Sequence, residues 1–129
     1  MKNSLQSKVI DRSRKLLSQL NCNTRHFSFI IKRNKIISEG FNSNKTHTFA
    51  TRFNHKFQAI HSELSAIKNF PYPLSKLKYY KIVNVRLTKK GKGVFLSRPC
   101  ASCYNLLKFF DIKEIWYSTN SANFSKMEI

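Results

Sequence analysis

At 129 residues and 15.1 kDa, with 41% hydrophobic and 13% aromatic residues and only three glycines and three prolines, the chain suits one compact domain spanning 1–129. Collagen-like, linker-like and intrinsically disordered classes are excluded. Twenty-four Lys and Arg against six Asp and Glu leave a formal net charge of +18 at pH 7, a field that gathers polyanions and implies an acidic partner. Three cysteines form an odd set, and no basic leader precedes an apolar core, so reduced thiols and a cytoplasmic location are expected. No run nears the roughly 20 apolar residues of a spanning helix, so no membrane association is expected.

Leu5, Val9, Leu16, Leu17 and Leu20 recur at helical spacing among Lys8, Arg12, Arg14 and Lys15, which predicts an amphipathic helix ending near Asn21. HFSFIIKR and KIISEGF, with Asn34 between them, read as two strands joined by a tight turn. The polar and aromatic stretch from Asn42 to Phe57 lacks a sustained period and is expected to be a long loop. Ile60, Leu64 and Ile67 mark a second helix that must stop before Pro71 and Pro73. Tyr79 to Thr88 reads as a strand, resuming after KKGKG as VFLS, either one interrupted strand or two in series. Pro99 ends it. Cys103, Leu107 and Phe110 share a face of a third helix, and Ile112 to Tyr117 is a last buried strand. Only eleven residues follow Ser118, too few for a parallel crossover, so FSKMEI is expected to return as an antiparallel hairpin strand.

Two patterns carry chemistry. His61, Ser62 and Glu63 open the second helix as H-x-E, and Pro99, Cys100 and Cys103 open the third as P-C-x-x-C. Cysteines at i and i+3 of a helix start lie on one face, where the helix dipole favours thiolate. If the two helix starts converge, His61 completes a three-ligand zinc site whose fourth position stays open, and Glu63 is a nearby carboxylate for proton transfer.

This pairing of motifs resembles the cytidine deaminase superfamily, the zinc-dependent nucleobase deaminases. The resemblance covers most of the chain, and the 38 residues between His61 and Cys100 suit the rest of one helix, a loop and a strand. It implies a three-layer α/β/α cytidine deaminase-like fold, with a central mixed sheet of about five strands, helices on both faces and the antiparallel C-terminal hairpin. It also implies that His61, Cys100 and Cys103 bind Zn2+, that Glu63 shuttles the proton, and that water replaces the amine at C4 of cytosine or C6 of adenine, with release of ammonia. Asn42, at the end of a strand after Gly40 and Phe41, looks like the family's contact to substrate sugar or base, against the alternative of a simple turn residue. Ser62, beside the motif residues, is a further candidate for substrate contact.

Arg98 stands where many relatives carry a small residue or a carboxylate, and its guanidinium suits a substrate phosphate. Phe49, Phe53, Phe57 and Tyr72 flank the expected pocket and alternate with cations, an arrangement for stacking unpaired bases, or else for packing the loop on the core. Basic clusters at Lys32, Arg33, Lys35, at Lys76, Lys78, Lys81 and at Lys89, Lys90, Lys92 are individually ordinary solvated faces, but the total charge matches nucleic-acid binders. The favoured expectation is hydrolytic conversion of cytosine to uracil in single-stranded DNA or RNA. The alternatives are a deaminase of free cytidine or deoxycytidine nucleotides, or a catalytically silent, zinc-stabilised nucleic-acid-binding module. In the last case Cys22, His26, His47 or His55 could close the zinc site. Oligomeric state stays open.

Overall fold

The computed structural model describes residues 1–19, 25–46, 59–88, 93–120 and 123–128. In chain order these form α1 (Asn3–Gln19), β1 (His26–Lys32), β2 (Lys35–Phe41), β3 (Ser43–Thr46), β4 (Ala59–Ile60), α2 (Ser62–Lys68), a 3-10 helix (Leu74–Tyr79), β5 (Lys81–Leu87), β6 (Val94–Phe95), α3 (Ala101–Phe109), β7 (Glu114–Ser118) and β8 (Phe124–Met127). Among the described residues no helix is long and apolar enough to cross a membrane.

The main sheet is six-stranded and mixed, ordered β2-β1-β5-β7-β8 with β6 paired to β5. Only β5 and β7 run parallel, joined through α3, and the other pairings are antiparallel. Side-chain alternation along the strands sorts the core into two layers. Phe27, Phe29 and Ile31 of β1 and Val83, Val85 and Leu87 of β5 pack on Leu5, Val9 and Leu16 of α1. Ile30 and Ile82, of opposite parity, pack on Leu64 and Ile67 of α2 and Leu106 and Leu107 of α3. Helices therefore cover both faces of the sheet, as expected. β1 is apolar to both sides, with Phe27 and Phe29 to Ile31 fully buried, because it lies between both helical layers.

The β1–β2 turn places both central residues, Arg33 (φ 53°) and Asn34 (φ 63°), in the left-handed region that a two-residue type I′ hairpin demands. β8 pairs antiparallel with β7 as the short C-terminal segment implies. Three stretches differ from expectation. Ile60 lies in β4, and α2 begins only at Ser62. Ser43–Thr46, expected within the long loop, pairs as β3 with β4 in a separate two-stranded sheet; residues 47–58 lie outside the described residues. VFLS neither continues β5 nor forms a strand in series, because β6 folds back antiparallel on Arg86 and Leu87. That return strand raises the expected five strands to six.

Gly40 sets the spacing between β2 and α2. A Cβ at this position would press on the backbone nitrogen of Ala66 and lie 2.6 Å from the Ser62 carbonyl oxygen and 2.7 Å from the Ser65 carbonyl carbon. These are backbone atoms in the first turns of α2, which cannot yield without moving the helix. Gly40→Ala should cost about 3 kcal/mol of unfolding free energy through overpacking, read as a lower urea midpoint at unchanged m value.

Candidate metal and acid–base site

His61 and Cys100 occupy equivalent positions, each an extended residue capping a helix start, with φ −80° and ψ 160° for His61 and φ −69° and ψ 168° for Cys100. Their carbonyls accept the first helical bonds, from Ser65 N–H at 3.0 Å and Tyr104 N–H at 2.8 Å. The side-chain carbonyl of Asn42 reaches α2 and accepts the Ser62 N–H at 2.8 Å. Ser97 fastens the approach to α3. Its hydroxyl donates to the Asn84 carbonyl at 2.8 Å, and Ser97 and Ser118 exchange backbone and hydroxyl bonds beside the end of β7.

The two helix starts converge. His61 Nδ1 lies 3.4 Å from Cys103 Sγ and 3.6 Å from Cys100 Sγ. A tetrahedral zinc with Zn–N near 2.1 Å and Zn–S near 2.3 Å sets N···S edges of about 3.5 Å. The donor set, two sulfurs and one imidazole all within 4.8 Å of one another, thus fits that ion. Among the described residues no fourth His, Cys, Asp or Glu joins the group; His26 stands outside it, and Cys22, His47 and His55 lie outside the described residues. The protonation pattern already separates charge. Hydrogen bonds from Cys103 and then from His61 hold the Cys100 thiol down at about 3, and the bond to Cys100 raises His61 above the ordinary imidazole value. Cys103 is pushed up by its bond to Cys100 and by burial. His26, at the same end of the sheet, is lowered to about 4 by burial, then by Arg86 and His61.

Glu63 sits one residue inside α2, 5% exposed, and burial raises its carboxyl above the usual range. Its two oxygens close a buried ring. Oε1 is 3.0 Å from Ser62 Oγ, Ser62 Oγ is 2.8 Å from Ser28 Oγ, Ser28 Oγ is 2.6 Å from Asn84 Oδ1, and Asn84 Nδ2 is 3.2 Å from Glu63 Oε2. The second Asn84 amide proton reaches the Ser97 carbonyl at 3.3 Å, which fixes the amide's orientation. Burial therefore favours neutral Glu63, outweighing the bonds from its own backbone N–H and from Ser62, which hold the carboxyl down.

Sequence reasoning missed Ser28 and Asn84. The signal was a lone polar residue inside each of two otherwise apolar strands, HFSFII and KIVNVRL. Ser62, expected at the substrate, is buried with its hydroxyl inside this ring. Arg98 is exposed, two residues before Cys100, on a cleft of about 380 Å³ with Tyr104 and Glu128. Phe57, Phe49 and Phe53 lie outside the described residues. Tyr72 does not flank the metal-ligand group: it stacks with Tyr80 beyond the opposite end of the sheet, because the residues after α2 carry the chain away from the site.

Neither a family model nor a curated protein matches the sequence. Solved structures do match the fold. A dCMP deaminase from the cyanophage S-TIM5 in apo form aligns with TM-score 0.57 at 16% identity, covering 92% of this chain and 86% of that one. The same enzyme in complex with dCMP and dUMP aligns with TM-score 0.57 at 13% identity, covering 92% and 84%. RibD of Acinetobacter baumannii aligns with TM-score 0.53 at 12% identity over 90% of this chain, which spans 28% of that longer one. The architecture is cytidine deaminase-like.

Two outcomes follow. Purified protein should carry about one zinc per chain by elemental analysis, and Cys103→Ser or His61→Ala should lose most of it. In chelator-treated protein, a carboxyl raised in the folded state makes stability fall as pH climbs from its unfolded value through its folded one, since the native chain holds the extra proton. Glu63→Gln, which mimics the neutral acid, should shrink that decline in denaturation midpoints followed upward from pH 4.5, leaving the share of His61, whose raised imidazole gives a decline of the same sign above its ordinary 6.5. Glu63→Ala should instead cost about 2 kcal/mol through unsatisfied ring members.

Proposed function

We propose that the chain is one deaminase domain over 1–129 that hydrolyses the exocyclic C–N bond of cytosine to give uracil, with His61, Cys100 and Cys103 holding Zn2+ and Glu63 moving the proton. The observation that carries this reading is the meeting of one imidazole and two sulfurs at tetrahedral edge distances beside a buried, non-ligating carboxyl. When bound, zinc supplies Lewis acidity that lowers the pKa of water toward neutrality. As the carboxylate, Glu63 would take the two protons of that water in turn, giving one to the ring nitrogen beside the attacked carbon and the other to the amine, which leaves as ammonia while the oxygen stays as the carbonyl. Asn84 and Ser62 hold the carboxyl in place, and the burial that favours its neutral form makes it a competent donor once it holds a proton. In this reading Asn42, which braces the start of α2, contacts the sugar or base, and exposed Arg98, two residues before Cys100, binds a substrate phosphate.

The +18 charge favours cytosine in single-stranded DNA or RNA as substrate, because solubility alone asks for a net charge of roughly 2–8 in a small domain. A free cytidine nucleotide is the second reading, favoured by the likeness in fold to an enzyme solved with dCMP and dUMP.

Incubation with cytidine, dCMP, single-stranded oligonucleotides and tRNA, followed by mass spectrometry, should show the one-dalton gain of amine-to-oxygen exchange on a polynucleotide. Gain on dCMP alone selects the second reading. Glu63→Ala should suppress ammonia release at least a thousandfold while keeping its zinc. Zinc-loaded wild-type protein that leaves every substrate unchanged would mark a silent binding module.

A further inference from the structure

Two basic clusters, Lys32–Arg33 and Lys76–Lys78–Lys81, stand more than forty residues apart in the chain. The sheet brings them together, because β1 ends where β5 begins, with Ile31 paired to Lys81 and Lys81 to Glu114. Lys113 joins from the start of β7. The result is a cleft of about 520 Å³ lined by Lys32, Arg33, Lys78, Tyr79, Lys81 and Lys113. It continues into a second cleft of about 540 Å³, which shares Lys32 and Tyr79 and adds Tyr72, Lys76 and Tyr80. Lys81 lies three residue steps along β5 from Asn84 of the Glu63 ring, roughly 10 Å toward the end remote from His61.

Cations outnumber anions six to one among the described lining residues. The three ion pairs of the described residues use Arg12, Arg14 and Lys126, and none involves the six cations of these clefts. Glu114, the one acidic group in the lining, accepts the Trp116 indole N–H at 2.9 Å, lies 3.8 Å from Lys126 and feels Lys81 and Lys113 as well, which leaves the cleft strongly basic. Lys32, Lys76 and Lys78 place three ammonium groups 6.0, 5.9 and 5.4 Å from the centre of one ring, Tyr79, which is 52% exposed. Like charges gathered this closely repel one another, and a polyanion removes the penalty while releasing its own counterions. Tyr72, 51% exposed, offers a second ring on the same surface. Cations flanking exposed rings suit unpaired bases and their phosphates; a duplex hides its base faces, and a lipid surface asks for inserted apolar side chains, whereas the large exposed rings here are phenols.

We infer that this joined cleft at the sheet end remote from His61 binds single-stranded nucleic acid, with Tyr72 and Tyr79 stacking bases and Lys32, Lys76, Lys78 and Lys113 holding phosphates. It deepens the polynucleotide reading of the deaminase by giving the strand an anchor apart from the reacting base, and rests on that reading only for the strand being substrate. The test is fluorescence anisotropy of a labelled 20-mer of thymidylate, which contains no cytosine, so its outcome is independent of deamination. The triple variant Lys32→Gln, Lys78→Gln, Lys113→Gln should weaken binding at least tenfold and reduce the slope of log affinity against log salt by about 2, the share of three phosphate contacts on a single strand. Tyr79→Ala should weaken binding several-fold with an unchanged salt slope, and Tyr79→Phe should restore it. Arg12→Gln, Arg14→Gln, Lys15→Gln on α1 removes the same charge elsewhere and should change affinity less than threefold. An equal loss from the α1 variant, equal affinity for a duplex, or preferential binding of the wild type to phosphatidylserine vesicles would each overturn the inference.

Discussion

Everything at the candidate site depends on two helix starts being held close enough for one imidazole to reach two sulfurs. α2 is pressed onto β2 at Gly40, where no side chain intervenes, and its first turn is caught by the Asn42 side chain. α3 is positioned by the parallel pairing of β5 with β7 and by Ser97, which ties the segment before Cys100 to both strands. With both starts fixed, the two N···S distances suit the edges of a tetrahedral zinc site.

Behind the ligands, a polar ring runs through an otherwise apolar layer. Ser28 and Asn84 stand in strands whose neighbours on the same face are Ile30 and Ile82. Polar groups there are tolerated because each finds a partner, and leaving one unpaired would cost more than the bond contributes. The partners also explain the orientation of Glu63. Its oxygens are held from β5 by Asn84 and from its own helix by Ser62, so the carboxyl is rigid where a solvent-exposed glutamate would sample many rotamers.

Electrostatics divides the molecule differently. The cleft at Tyr79 is strongly basic, with Glu114 as the one described acid in its lining, whereas the His61, Cys100 and Cys103 group pairs a favoured thiolate at Cys100 with a raised imidazole at His61 beside a carboxyl raised by burial at Glu63. Opposite ends of the same strands thus differ in charge: excess cations at one, a cluster of shifted titratable groups at the other. Strand polarity links the two ends with a spacing set by backbone geometry alone.

Much of this was legible in the residues. Apolar periodicity placed α1 and the β1–β2 hairpin, and the local spacings of H-x-E and P-C-x-x-C put both motifs at helix starts, because helix geometry and turn chemistry act over a few neighbouring residues. Boundaries set by pairing were not legible: β3 and β4 form against each other, and β6 folds back on β5, contacts that no local pattern announces. The same holds for the ring of Ser28, Asn84, Ser62 and Glu63, for the burial of Ser62, and for the removal of Tyr72 to the far end of the sheet. Residues alone determined which groups could ligate, transfer a proton or attract phosphate. Tertiary structure decided which of them meet, since contacts between residues distant in the chain depend on strand order and register, which are properties of the whole sheet.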